Sequence, residues 1–257
     1  PALRNPSDAE MAWFEQGENI LVIQAGDYYT NPNPTKPLFW NGIVLRRSIG
    51  LTTPAPPSIS PNINEIPAAT CMDYYGGRLW YAQGRSYSAG DIVGGPSGTA
   101  GQHYRDAIIS VTENPLCFGG DGFTVPTTAG NIRALKHSAN LNAALGEGQF
   151  FIFTRNTIYT LQVPTSRKSW IAAGNDATGA HTDMPLQTVV QLVNGAVGDR
   201  CIVPVNGDLF YRSPDGIRSL FMSIRNFQQW GNTPISRNVN RVVAREDRAL
   251  HRYASAI

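Results

Sequence analysis

The sequence predicts an all-β fold, β-propeller-like, with four-stranded antiparallel blades and a long proline-rich surface loop. Three observations carry this. The first is turn chemistry: Asn206-Gly207 lies between the apolar runs Cys201 to Val205 and Leu209 to Tyr211. Asn-Gly suits a two-residue type I′ turn, which needs positive φ at both central positions. A second turn, Ser213-Pro214-Asp215-Gly216, leads into Ile217 to Leu220, so the stretch reads as a three-stranded meander. The second observation is recurrence. Leu209 to Ser213 matches Phe150 to Thr154, Leu79 to Gln83 and Ile20 to Gln24, each of which turns polar after an apolar run. Each also begins two or three residues after a glycine (Gly207, Gly148, Gly77, Gly17). The starts at Ile20, Leu79, Phe150 and Leu209 are 59, 71 and 59 residues apart. A recurring unit of this kind marks repeated supersecondary structure, and a propeller repeat is typically about 40 to 50 residues, so these blades carry sizeable loops. The third is composition: 25 glycines and 18 prolines scattered along 257 residues with 16% charged side chains, and no sustained helical period. A β-sandwich could present four such pentads without true repetition, and that alternative stands beside the blades.

In chain order, the best helical candidate at the start is Pro6 to Phe14, with Ser7 or Asp8 as cap and Glu10 at the capping-box spacing from Ser7. Residues 15 to 68 form the first unit, in which Asn19 to Ala25 returns through Gly26-Asp27 into Tyr28-Tyr29. Alternating prolines over residues 31 to 69 favour extended segments and forbid regular ladders, with one short strand, Leu38 to Leu45, between them. Phe39, Trp40, Ile43 and Leu45 call for a packing surface there. Residues 69 to 111 form the second unit, hinged at Gly76-Gly77, with Tyr87 to Val93 as its next strand and a glycine-rich loop over residues 94 to 101. That loop has neither GK nor GxGxxG and reads as surface, not as a phosphate cradle. Residues 115 to 164 form the third unit, in which Phe123 to Val125 and Ile132 to Leu135 precede a pairing of Gln149 to Phe153 with Thr157 to Leu161. Residues 169 to 220 form the fourth, and residues 221 to 257 begin a further one. Within that last stretch, Val239 to Arg252 has weak helical character. The chain opens without Met and its last residues read as the start of a strand, so a piece of a longer polypeptide is expected, poorly soluble alone through its open strand edges.

Charge excludes little except a strong nucleic-acid field: the formal net charge is +2, too small to argue such binding. The basic residues concentrate at Arg46-Arg47 and over Arg237 to Arg252, where Glu246 and Asp247 partly cancel them. Cys71, Cys117 and Cys201 are widely spaced and odd in number, which fits buried reduced thiols better than disulfides or zinc. No apolar run approaches the 18 or so residues of a membrane helix. His103, His137, His181 and His251 have no neighbour at metal-ligand spacing. No nucleophile, histidine and acid set stands out. We therefore assign no catalytic, cofactor-binding or metal-binding residue and expect no cofactor and no enzymatic activity. The one acidic group worth naming is Asp176 and Asp183 near His181, because glycoside chemistry needs two carboxylates. That group supports an alternative reading as a carbohydrate-binding or glycoside-processing propeller. The Ser213 to Gly216 turn departs from the sialidase Asp-box, since Gly216 follows Asp215 directly and no aromatic trails it.

The segments Gly76 to Val93 (GGRLWYAQGRSYSAGDIV), Leu145 to Gln162 (LGEGQFFIFTRNTIYTLQ) and Leu186 to Leu220, with Gly195-Ala196 ahead of Val203, resemble successive blade strands of tailed-bacteriophage virion propeller proteins. These are the tail tubular, nozzle or stabilisation type. The resemblance covers about Tyr74 to Leu220. It implies a structural role with no catalytic residues to carry over: a homo-oligomeric ring in the virion tail, synthesised in the host cytoplasm. The implied partners are copies of itself and the adjacent tail, adaptor or portal and fibre proteins, with DNA only as passing cargo and no stable membrane binding. A cellular scaffold of the WD type is disfavoured, because repeated Gly-His and Trp-Asp pairs are missing.

Overall fold

The computed structural model describes residues 12–25, 35–50, 65–91, 107–109, 123–139, 147–163, 187–191, 194–225, 234–243 and 245–256. Among them the chain forms four small antiparallel sheets, each an up-and-down meander. The first takes β1 (Ala12–Gly17), β2 (Ile20–Ala25), β3 (Leu38–Trp40) and β4 (Leu45–Arg47) in that order. The second takes β5 (Cys71–Tyr75), β6 (Arg78–Gln83), β7 (Ser86–Ala89) and β8 (Phe123–Thr124). The third takes β9 (Ile132–His137), β10 (Phe150–Thr154), β11 (Ile158–Leu161) and β12 (Gln187–Gln191). The fourth has three strands, β13 (Ile202–Val205), β14 (Asp208–Ser213) and β15 (Gly216–Ser219). The all-β class and the small antiparallel sheets are as predicted.

Turn residues set the hairpins. Gly76 and Gly77 (φ 60° and 71°) join β5 to β6, and Asn206 and Gly207 (φ 49° and 81°) join β13 to β14. Both central residues are left-handed in each case, which matches the strand twist. The second strand of every sheet is one of the four pentads, and its polar last residue turns inward. Gln24 donates to the Thr35 carbonyl and accepts from the Ala69 N–H. Gln83 donates to the Ala68 carbonyl. Thr154 Oγ1 donates to the carbonyls of Ala129 and Thr157, at 2.8 and 2.7 Å, as alternatives for its one proton. Ser213 Oγ lies 2.8 Å from the Gly216 carbonyl. Gln24, Thr154 and Ser213 are buried, so these groups satisfy backbone atoms that would otherwise be stranded away from water.

The chain divides into two compact units, one holding β1 to β8 and the other β9 to β15. In the first unit, Val22 and Phe39 of the first sheet share a core with Met72, Leu79 and Tyr81 of the second. In the other unit, Phe151, Phe153 and Ile158 of the third sheet share a core with Ile202, Leu209 and Tyr211 of the fourth. The segment entering the fourth sheet ties it to the third: Ala196 N–H donates to the Thr154 carbonyl and Val197 N–H to the Arg212 carbonyl, both at 3.0 Å. A Cβ at Gly195 would lie 1.9 Å from the Thr154 carbonyl oxygen, so only glycine fits this crossing.

The fourth sheet has a turn where the other three sheets have their last strand. A 3₁₀ turn, Ile235–Val239, packs on β15. Ser236 Oγ accepts the Ile217 N–H at 3.0 Å, and a Cβ on Gly216 would strike Pro234. The opposite edge strand, β13, carries the exposed Pro204, which cannot donate to a further strand. The solubility expectation rested on open edges, and in this sheet they are guarded.

Several local expectations are corrected. Ala12 to Phe14, expected to end a helix, belong to β1, because alternating contacts with β2 outweigh a weak cap signal; Pro6 to Met11 lie outside the described residues. Residues 20–25 pair with β1 and β3, while Tyr28-Tyr29 lie outside the described residues. The single strand Leu38 to Leu45 is two strands, broken where Asn41 Oδ1 accepts the N–H groups of Ile43 and Val44. Phe123–Thr124, placed with the third unit, pair with β7. Gln187–Gln191, placed with the fourth, pair with β11. In both cases the closing strand follows a long insertion and carries too little pattern to declare its partner. Residues 221–257, expected to begin another unit, hold no strand among those described. They contain α1 (Leu220–Arg225), α2 (Asn240–Val243) and 3₁₀ turns at Ile235–Val239 and Arg248–Tyr253. Ser219 and Asp208 start α1: Ser219 Oγ accepts the Met222 N–H and Asp208 Oδ1 the Phe221 N–H, an N-cap that ends β15.

Candidate functional site

The described polar clusters are engaged in holding the fold. Arg218 on β15 is 1% exposed. Its guanidinium donates to both oxygens of Asp215 and to Ser213 Oγ, bracing the β14–β15 turn. Burial opposes ionisation of Asp215, but the bonds from Arg218 and Ser213 and the charge of Arg218 outweigh it and lower its pKa. Arg212 on β14 meets Glu246 at 2.7 Å, and His251 Nε2 lies 3.7 Å from the same carboxylate. Burial first, then the nearby Arg212, lowers the His251 pKa against the pull of Glu246. Lys136 on β9 lies 3.7 Å from Asp199.

None of these groups sets a nucleophile beside a base. Cys201 is the nearest approach to a nucleophile, but its thiol donates to the Gly198 carbonyl and burial raises its pKa, which disfavours the reactive thiolate. Cys71 is buried in β5, and Cys117 lies outside the described residues. Among the described residues no three His, Cys, Asp or Glu side chains gather as a metal site. His137 sits on β9 and His251 in the final 3₁₀ turn. His103, His181, Asp176 and Asp183, the acidic group of the alternative reading among them, lie outside the described residues. No helix among the described residues is long and apolar enough to cross a membrane.

What stands out instead is a surface. Strand register aligns Phe14, Ile23, Leu38 and Arg47 in one row across the first sheet, and Gln16, Leu21, Trp40 and Leu45 in the next. Burial alternates along β2 and β3, so these rows form the face turned away from the shared core. Phe14 is 60% exposed and Trp40 44%. The β3–β4 turn adds Ile43 at 88% and Val44 at 54%, held by the Asn41 turn. Arg46, on the other face, pairs with Glu65 at 2.8 Å and sits over the Phe39 ring. Sequence reasoning placed Trp40, Ile43 and Leu45 against a packing surface, and the structure leaves all three exposed. The signal for this face is the unbroken run Ile20 to Ile23. A strand apolar on both sides needs two covered faces.

No protein-family model and no curated protein matches this chain. Among solved structures, two describe the extracellular domain of the putative one-component or hybrid two-component system BT4673 from B. thetaiotaomicron. Each has a TM-score of 0.42 and 10% sequence identity. They align with 85% and 89% of this chain, but with 21% and 22% of their own length. The chain thus spans about a fifth of those proteins.

Proposed function

We propose that this chain is a structural protein of a tailed-bacteriophage virion. In this reading it is a ring-forming subunit of the nozzle, tubular or connector region of the tail around the DNA passage, and not an enzyme. Its partners are copies of itself and the neighbouring tail, adaptor or portal and fibre proteins, with DNA as passing cargo during genome ejection. One observation carries the reading: the polar residues of the repeated strands are spent on backbone atoms inside the fold, while large apolar side chains of the first sheet stand at the surface. Such a distribution suits building material, whereas a binding cleft would aim polar groups at a ligand. Modest net charge suits a wall that does not grip passing DNA. The residues quoted above for the phage resemblance support the choice of particle. The test is localisation. Antibody against the chain should decorate the tails of cognate virions, and the chain should co-purify with tail and portal proteins from disrupted particles. A chain absent from purified virions overturns the reading.

A further inference from the structure

We propose that Asn41 is a site of spontaneous deamidation, promoted by the turn that holds it, through a succinimide formed with the Gly42 nitrogen. The modification is independent of the function proposed above and needs neither a partner nor an enzyme. The chain has three Asn-Gly pairs, at 41–42, 194–195 and 206–207. Glycine is the follower that obstructs this chemistry least, because it has no side chain to block approach to its nitrogen. Local sequence treats the three pairs alike, and the fold separates them. Asn41 Oδ1 accepts the Ile43 N–H at 3.0 Å and the Val44 N–H at 2.8 Å. A side-chain carbonyl bound to the N–H two residues on folds back over the intervening peptide, which brings Cγ toward the Gly42 nitrogen. Residues 41 to 44 are all exposed, and nothing lies within 4 Å of where a Cβ on Gly42 would be. The Gly42 N–H has no hydrogen-bond acceptor among the described residues.

The Gly42 amide nitrogen loses its proton to solvent base and attacks Asn41 Cγ. The N–Cγ bond forms and the carbonyl electron pair moves onto Oδ1. On its return the Cγ–Nδ2 bond breaks, and the amide leaves as ammonia with a proton from water. One water then opens the succinimide at either carbonyl, giving aspartate or isoaspartate. Negative charge develops on Oδ1 in the first step, and two backbone N–H groups already point at that atom. Donors fixed in advance on a developing oxyanion are a large contribution in acyl chemistry, about 10²–10³ in rate for one donor in a dry site. On an exposed turn the pair should contribute about tenfold. The other two pairs lack this arrangement. Asn206 is exposed, but no N–H among the described residues reaches its side chain and Gly207 is buried. Gly195 is buried with the Thr154 carbonyl against it, so its nitrogen has no room to turn toward Asn194. Conversion at position 41 places a negative charge among the exposed Trp40, Ile43 and Val44, and the isoaspartate form adds a methylene to the main chain of the β3–β4 turn.

The experiment holds the full wild-type chain in mildly alkaline buffer, folded in one arm and unfolded by urea in the other, at the same pH and temperature. Samples taken over time are digested, and the peptides holding the three Asn-Gly pairs are quantified by mass spectrometry, with enzymatic isoaspartyl methylation marking the isoaspartate fraction. Asn41 should convert about tenfold faster in the folded chain than in urea, whereas Asn194 and Asn206 should convert more slowly folded than unfolded. A folded-state rate at Asn41 equal to or below its rate in urea overturns the inference, because a turn that is merely exposed and free to move reaches the unfolded rate and does not pass it. An equal folded-state acceleration at Asn206, which lacks the two donors, overturns it as well.

Discussion

Phe153 and Tyr211 meet edge to face, with ring centroids 5.4 Å apart and planes inclined by 61°. One belongs to β10 and the other to β14, and both are buried. The contact is therefore a direct tie between the third and fourth sheets, formed by equivalent second strands. Truncation should loosen the pair. Phe153→Ala is expected to cost about 3 to 5 kcal/mol in urea unfolding, and Phe153→Leu about 1 to 2 kcal/mol, because it keeps most of the volume. A loss below about 1 kcal/mol for the alanine variant would mean that the two sheets do not share this core.

Glycine at position 195 is required by space. Gly195→Ala places a methyl group against the Thr154 carbonyl, and the expected cost is about 2 to 3 kcal/mol from overpacking against backbone. Gly76→Ala is the control. Gly76 has φ 60° but open space where a Cβ would lie, so only the left-handed penalty of about 1 kcal/mol applies. Equal losses at the two sites, read from chemical denaturation, would contradict the crossing described here.

Removing the acid from the Asp215–Arg218 pair should hurt more than removing both. Asp215→Asn keeps one amide oxygen as an acceptor but removes the charge facing a fully buried guanidinium, at an expected cost of about 2 kcal/mol. The figure is kept low because Asp215 itself is 41% exposed and screened. Asp215→Asn/Arg218→Met should recover part of that loss. The sign with pH follows from the lowered Asp215 pKa: the pair's stabilisation is present above the ordinary aspartate value and is lost as pH falls through the lowered one. Wild type and Asp215→Asn should converge in stability in strong acid, and a constant gap down to low pH would refute the assignment.

Docking of the last turn on β14 should weaken in mild acid. The folded chain binds a proton at His251 less readily than the unfolded chain does, so its contribution is full above the ordinary histidine value of 6.5 and declines as pH falls below it. Hydrogen exchange of residues 248–256 should accelerate between neutral pH and pH 5 after correction for intrinsic rates. His251→Phe should remove that dependence, and an unchanged profile would exclude His251 as its source.

Much of this fold is legible in the residues and some of it is not, for physical reasons. Asn206-Gly207 and Gly76-Gly77 announce their hairpins because few residues tolerate positive φ twice. The four pentads locate the second strand of every sheet, since each carries an apolar run and a polar end that closes the ladder internally. The sheets to which β8 and β12 belong escape because a two-residue or edge strand paired across a long insertion leaves almost no signal of its partner. Residues 234–239 escape for another reason: Ser236 guards β15 with one side-chain oxygen, a relation no local pattern encodes. The exposed face was half visible. Ile20 to Ile23 says that two faces want cover, but exposure of Phe14 and Trp40 depends on what the rest of the chain leaves open.

Sedimentation velocity of the wild-type chain across a hundredfold range of concentration tests the central claim most directly, because sheets used as building material must associate. The account predicts a discrete species at a fixed multiple of 28.0 kDa that persists on dilution into the low micromolar range. A single 28.0 kDa monomer at every concentration would contradict it.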